Sequence, residues 1–584
     1  MVNNYKRNSV TKIKKEKMKT TKNILLIFAT CFLMQNSFAQ SGVDTLQKLD
    51  EVDIIKAYEP ILISSNKVPF APTLPNIVKT KPDAQTYSYN DVKGKINYNP
   101  EDIRPIKSAG KKPEKNQFFY AKLGFGYPLA ALAKIIITNP IKTKYSAGLD
   151  IDFMTTFKDK VELKNYTDFK VKGFGEVYIK KKAAIGAELF YKFNQHNFYG
   201  YSNEIFNRDS LKTTYNRFGG AVKLRGIEES DYYYNGEVNF ASVINKNTFQ
   251  KPKELTINVN AEAGYNFKRN YWAGAKLNVT NVSYNSDYTD TTFFSFLNKQ
   301  NHFTLQAIPY FKIKYKIWQL LVGPNLMITN RNFYVLPEIS NQLQVYKDYF
   351  VIYNEWKTQV KINSLNNLSI ENPFVNTNNY DNSIDETRTF IGLRGSAKGF
   401  GYDLRFSQMV SKTNAQFVNN TYDDFGNLSS DPGFDVQSIY NVKSWNPHVG
   451  FSYNKGSEFG AKAWFDYFIY SKQSAVDLSY LPSIKAGVSA FYNWKNKLYV
   501  NLDITGQSKV SATTVHYIAA TDSLSRTIIP VKGLIDVNLS ANYFITKNIG
   551  VFVDLNNLGF QKWPRFYKYP TYSFQVIGGV KLSF

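Results

Sequence analysis

From residue 117 to the C-terminus the chain is patterned with a period of two. In residues 255–267 the apolar set is Leu255, Ile257, Val259, Ala261, Ala263, Tyr265 and Phe267, and the positions between them are Thr256, Asn258, Asn260, Glu262, Gly264 and Asn266. Lys268, Arg269 and Asn270 turn the chain, and the apolar face resumes at Tyr271, Ala273, Ala275, Leu277 and Val279. The same figure recurs at residues 484–504 around the turn 495–497, and at 535–555 around the turn 546–548. Alternation over ten or more residues predicts strands with one apolar and one polar face.

These strands are about twice the roughly 5–6 residues usual in soluble sheets, and they match the roughly 9–11 needed to cross a bilayer at a tilt. Short basic turns interleave with long polar segments near 194–212, 285–300, 361–386, 412–436, 471–482, 507–530 and 559–571. Short turns at one end and long loops at the other are the layout of a membrane barrel, in which closure leaves no strand edge facing lipid. The expected fold is all-β, a transmembrane antiparallel β-barrel of about 22 strands (18–22) over residues 117–584. The least regular strand is at 129–138, where Leu-Ala-Ala-Leu-Ala-Lys-Ile-Ile-Ile does not alternate.

The first 116 residues read differently. Residues 1–39 carry eight Lys/Arg and one Glu, then an apolar run at 24–34, then Ser37-Phe38-Ala39. Those are the three regions of a secretory signal peptide, and the run is too short to span a bilayer. The chain's one cysteine, Cys31, lies inside this segment, so the mature chain is expected to lack thiol chemistry and disulfides. Its removal lowers the net charge from +25 to +18. Residues 40–116 hold eight prolines between Lys56 and Asn116 and are nearly neutral. Such spacing excludes regular helix or central strand and predicts an extended periplasmic or lumen-threading segment.

At the C-terminus, a strand leads through Asn556-Asn557-Leu558 and the aromatic loop of Phe560, Trp563 and Tyr567 to a closing strand ending at Phe584. This resembles the last hairpin of TonB-dependent receptors. Phe574, Val576, Val580, Leu582 and Phe584 resemble the terminal signal read by the barrel-assembly machinery. Leu49, Asp50, Glu51, Val52, Asp53, Ile54 and Ile55 resemble a TonB box, the strand such receptors hand to a periplasmic transducer by β-addition. The resemblance implies an outer-membrane barrel that moves a solute. Against it, residues 56–116 lack a plausible core for the folded plug domain of those receptors.

Chemistry is sparse. His196, His302, His448 and His516 have no close partners at metal-ligand spacing, and no nucleophile constellation or phosphate loop is evident. No enzymatic activity and no cofactor are expected. Basic residues are spread over strand faces and turns, which argues against nucleic acid. Lys122, Lys268, Lys276, Asn258, Asn260, Glu262, Asp503, Asp536 and Asn538 are expected to line a polar lumen. The expected partners are outer-membrane lipid and lipopolysaccharide, the barrel-assembly machinery, and a periplasmic TonB-type transducer or an outer-membrane partner protein. The functional expectation is a plugless transport or receptor barrel. The alternative is a non-transporting structural or assembly subunit of an outer-membrane complex.

Overall fold

The computed structural model describes residues 118–584 apart from short connecting segments, of which 201–210, 287–298 and 421–432 are the longest. The predicted export signal, the Pro-rich segment and the TonB-box-like stretch therefore lie outside the described residues. Twenty-two antiparallel strands form a closed wall, beginning with Phe119–Tyr127 and ending with Gln575–Ser583. Neighbours in sequence are neighbours in the wall. The circle closes by pairing the first strand with the last, from Tyr120 opposite Ser583 to Tyr127 opposite Val576. The carbonyl of Phe584 accepts from the N–H groups of Phe118 and Phe119 at 2.6 and 3.0 Å, so the C-terminus locks the seam.

The period of two sorts the side chains as expected. Leu123, Leu189, Val222, Ile257, Val488 and Val580 are exposed on the outward face. Such a wall of aliphatic residues suits hydrocarbon and would be costly in water, at about 25 cal/mol per Å² of apolar surface. Glycine lets the seam strands approach: a Cβ on Gly126 would sit 1.8 Å from the Val576 carbonyl oxygen.

The irregular second strand, Ala130–Thr138, has a physical explanation. Its outward positions Ala133, Ile135 and Ile137 are apolar. Its inward Leu132 packs on Phe552, Ile577 and Met154 in a small apolar cluster inside the wall. Apart from Lys134, which also points inward, apolar residues therefore stand on both faces and the alternation is lost.

At the end carrying both barrel termini the connections are tight. Lys398 and Gly399, both with positive φ, form a two-residue hairpin turn, and Lys316, Lys347 and Lys495 also occupy left-handed conformations. The opposite end carries the long loops, and there two expectations need correction. Residues 412–420 and 434–436 are not loop, because the strands Phe400–Asn420 and Phe434–Lys455 extend the sheet beyond the rest of the wall. Residues 507–530 are not a plain loop either: Val510–Ile518 and Ser523–Val531 form a hairpin whose first strand pairs in parallel with Val418–Asn420.

Candidate functional site at the loop end of the lumen

Inward side chains on the six consecutive strands from Ala130–Thr138 to Tyr232–Lys246 form a ladder of ion pairs. Lys134 meets Asp152 at 2.8 Å, Lys170 lies 3.6 Å from Asp150, Lys172 meets Glu188 at 3.1 Å, and Arg225 meets Glu176 at 2.7 Å. Lys223 bridges Glu188 and Glu237 at 3.4 and 3.7 Å. Each cation is matched across the strand by a carboxylate, so this wall is polar yet largely self-neutralised. Elsewhere Lys276 faces Glu338 at 3.9 Å, Asn258 donates to Thr280 at 2.7 Å, and Asn538 donates to Asp536 at 2.8 Å. The sequence placed Lys122, Lys276, Asn258, Asn260, Glu262, Asp503, Asp536 and Asn538 on the inner face, and there they are. Lys268 lies outside the described residues.

Above the ladder the loops turn inward and pack across the mouth. One apolar cluster joins Tyr215, Val243 and Tyr284 on one part of the wall to Ala415, Phe417 and Phe434 on another, through loop residues Leu365, Leu368, Phe374, Phe566 and Tyr569. Tyr215 belongs to the sixth strand, Lys212–Gly226, and Phe434 to the sixteenth, Phe434–Lys455, nearly opposite in a ring of 22. The ring of Phe374 stacks on Tyr569 at 4.1 Å, and Phe434 lies 5.4 Å from Phe566. Burial of several such aromatics is worth a few kcal/mol each, which makes this bridge a packed element.

Two loops carry the bridge. The first contains a short helix, α1 (Leu365–Glu371), whose N-cap Ser364 accepts from the Asn367 N–H at 3.2 Å. Seven residues do not hold a helix alone, so docking must. Leu365 and Leu368, three apart, face the cluster. The buried Glu254 carboxylate accepts from the N–H groups of Leu365 and Asn366, satisfying donors that a helix start leaves open. Arg217 donates from Nε to Asn366 at 3.1 Å, from Nη2 to Ser369 at 2.7 Å, and from Nη1 to Asn194 on the wall.

The second loop leads to the last strand and contains the small hairpin Pro564–Phe566 with Tyr569–Pro570. Arg565 donates to the Glu371 carbonyl at 3.3 Å. Burial pushes its guanidinium below the usual arginine range, opposed by the field of Glu371, and burial likewise lowers Lys568. Between this hairpin, the Pro373-Phe374 segment that follows α1, and the wall lies a cavity of about 250 Å³ lined by Tyr166, His196, Tyr199, Phe374, Arg565 and Tyr572, among others.

The terminal residues singled out from the sequence take distinct places. Val576, Val580 and Leu582 pair opposite Tyr127, Leu123 and Ala121 at the seam. Phe574 lies in the loop just before the strand and stacks on Phe560 at 4.7 Å. The histidines are scattered. His448 is in mid-strand, with Nδ1 2.9 Å from Asp466. His196 lies in the strand Ala183–Asn197 and His516 in the added hairpin, both outside the loops expected for them. Among the described residues no group of three metal-ligating side chains assembles.

Sequence reasoning missed the docking pair Arg217 and Glu254. The available signal was local: Ser364 followed by Leu365 and Leu368 marks a capped helical turn inside a long loop, and such a turn needs partners.

No protein-family model matches the chain, and no curated protein does. Solved structures do. The siderophore receptor PirA from Acinetobacter baumannii superposes with a TM-score of 0.60 at 13% identity, covering 80% of each chain. The FrpB iron transporter from Neisseria meningitidis gives 0.61 at 10% identity, over 81% of this chain and 82% of its own. The ferric enterobactin receptor PfeA from Pseudomonas aeruginosa gives 0.60 at 9% identity, over 80% of each. At such identities the likeness establishes the fold. The chain is a closed 22-strand barrel of the architecture those receptors and that transporter use, and among the described residues no plug domain is evident.

Proposed function

We propose that this protein is an outer-membrane barrel of the transport or receptor kind, a plugless counterpart of TonB-dependent receptors that moves a solute across the outer membrane. The observation carrying this reading is a closed 22-strand wall, apolar outside and polar within, combined with a loop end bridged by docked side chains. In it, residues 1–39 export the chain, the last strand with Phe574, Val576, Val580, Leu582 and Phe584 is read for assembly into lipopolysaccharide-bearing membrane, and residues 40–116 serve the lumen from the periplasmic side. The fold-level likeness to iron and siderophore receptors supports the class of activity, and the substrate is unassigned.

The bridged loop end also favours a second reading, a non-transporting subunit of an outer-membrane complex. Planar-bilayer conductance of the purified full-length protein and of a variant lacking residues 56–116 separates them. The transport reading expects low conductance that rises severalfold on deletion. Near-zero conductance in both, together with stable co-purifying proteins, would establish the subunit instead.

A further inference from the structure

We propose that the aromatic cavity under the loop bridge is the docking site for this chain's own Pro-rich segment, centred on Pro69, Pro72 and Pro75. This inference stands on the geometry of the loop end and does not depend on whether the barrel transports. The cavity walls are the rings of Tyr166, Tyr199, Phe374, Tyr569 and Tyr572, with Arg565 among them. At about 250 Å³ it falls below the roughly 300–1,000 Å³ of sites that enclose a whole small molecule. Its size suits one edge of a peptide.

Grooves lined by aromatic rings are the recognition surface for polyproline II helices, which bind with little entropy loss because they are preformed. The sequence Val68-Pro69-Phe70-Ala71-Pro72-Thr73-Leu74-Pro75 spaces its prolines by three. Three residues make one turn of that helix, so Pro69, Pro72 and Pro75 align along one edge.

Hydrogen bonding points the same way. A polyproline II backbone has no internal bonds, so its carbonyls need donors. In the cavity, Arg565 uses one hydrogen bond, to the Glu371 carbonyl at 3.3 Å, and a guanidinium has five N–H donors. His196 makes ring contacts with Tyr166 and Phe374 at 6.2 Å each and, among the described residues, no side-chain hydrogen bond, leaving a ring nitrogen for the same purpose.

Reach is no obstacle. Phe118 enters the wall at the turn end, beside the C-terminus. The 42 residues between Pro75 and Phe118 extend to about 130 Å at roughly 3.1 Å per residue. A wall strand of 15 residues rises only about 50 Å. The segment can therefore run the length of the lumen with slack.

Engineered disulfide trapping in the full-length protein tests this. Thr571→Cys at the cavity, combined with Pro72→Cys, should cross-link under mild diamide oxidation, read as a shift on a non-reducing gel and mapped by mass spectrometry. Thr571→Cys with Pro105→Cys is the control, and cross-linking to Pro72→Cys should exceed it severalfold. Adding Pro69→Ala and Pro75→Ala should reduce the yield towards the control. The heat-dependent gel shift of a folded barrel qualifies each variant. A photo-cross-linking residue in place of Tyr199 gives a second readout, with adducts expected within residues 64–80. Equal yields for the Pro72 and Pro105 pairs in folded protein, or photo-adducts only to added solutes or other proteins, would overturn the assignment. Conductance is not part of this readout, so failure of the transport reading leaves it separately decided.

Discussion

Arg217 and Ser369, 152 residues apart in sequence, meet at 2.7 Å where the barrel wall grips the loop helix. The guanidinium holds Asn366 and Ser369 together, while Glu254 accepts from the first two helical N–H groups. Hydrogen bonds to charged groups contribute about 1.5–3 kcal/mol each when both partners are buried.

Arg217→Ala should therefore release α1 from the wall. With about 1.4 kcal/mol per tenfold in population, cleavage within residues 363–382 should accelerate at least about tenfold under native conditions. Ser369→Ala removes one neutral partner and should have a clearly smaller effect. Equal protease sensitivity of wild type and Arg217→Ala would show that the apolar cluster alone holds the loop.

A second prediction concerns the seam. Lys122 and Asp554 form a buried pair at 2.7 Å, Ser540 donates to the same carboxylate at 2.6 Å, and the Lys122 ammonium lies 4.0 Å over the Phe552 ring. Lys581, paired opposite Lys122 across the seam, lies 5.5 Å from the centroid of the same ring. Asp554→Ala leaves buried cations facing each other and should cost about 3–5 kcal/mol, seen as a lowered temperature of the heat-dependent gel shift. The double variant Lys122→Met, Asp554→Leu should recover much of that loss, because an apolar pair of similar volume needs no compensation. Equal loss in the single and double variants would contradict this.

Closure itself can be tested at one glycine. A Cβ at Gly126 would lie 1.8 Å from the Val576 carbonyl oxygen, backbone that cannot move without parting the first and last strands. At Gly173 an added Cβ meets nothing within 4 Å. Gly126→Val should abolish the folded, heat-shiftable form, and Gly173→Ala should leave it unchanged. A normal shift for Gly126→Val would mean that the seam is not a fixed closure.

How much of this was readable beforehand follows from where the physics is local. The strand faces at residues 255–279 were legible because alternation is a property of consecutive residues, and Asn258, Asn260 and Glu262 stand inside as read. The strand Ala130–Thr138 was obscured because Leu132 packs inward on Phe552 and Ile577, partners more than 400 positions away. The loop bridge was hidden for the same reason. Nothing near Glu254 indicates that its carboxylate caps a helix beginning at Leu365, because only barrel closure brings the two together. Likewise, residues 510–531 form a hairpin seated on Val418–Asn420, a pairing that no local pattern encodes.

The last prediction concerns the stretch Leu49, Asp50, Glu51, Val52, Asp53, Ile54 and Ile55, whose resemblance to a TonB box implies energised transport. A peptide adding to a sheet edge is held by main-chain hydrogen bonds, and alternate side chains provide selectivity. Val52, Ile54 and Ile55 are β-branched and suit an added strand, whereas Asp53 interrupts the apolar run. A synthetic peptide of residues 44–60 should therefore bind the periplasmic domain of a TonB-type transducer, measured by calorimetry. Val52→Pro removes a backbone donor and fixes φ near −65°, so it should abolish that binding, while Val52→Ile should preserve it. Wild-type peptide that does not bind, or binding indifferent to the proline, would make the stretch a linker. The barrel would then have to work without this route to the transducer.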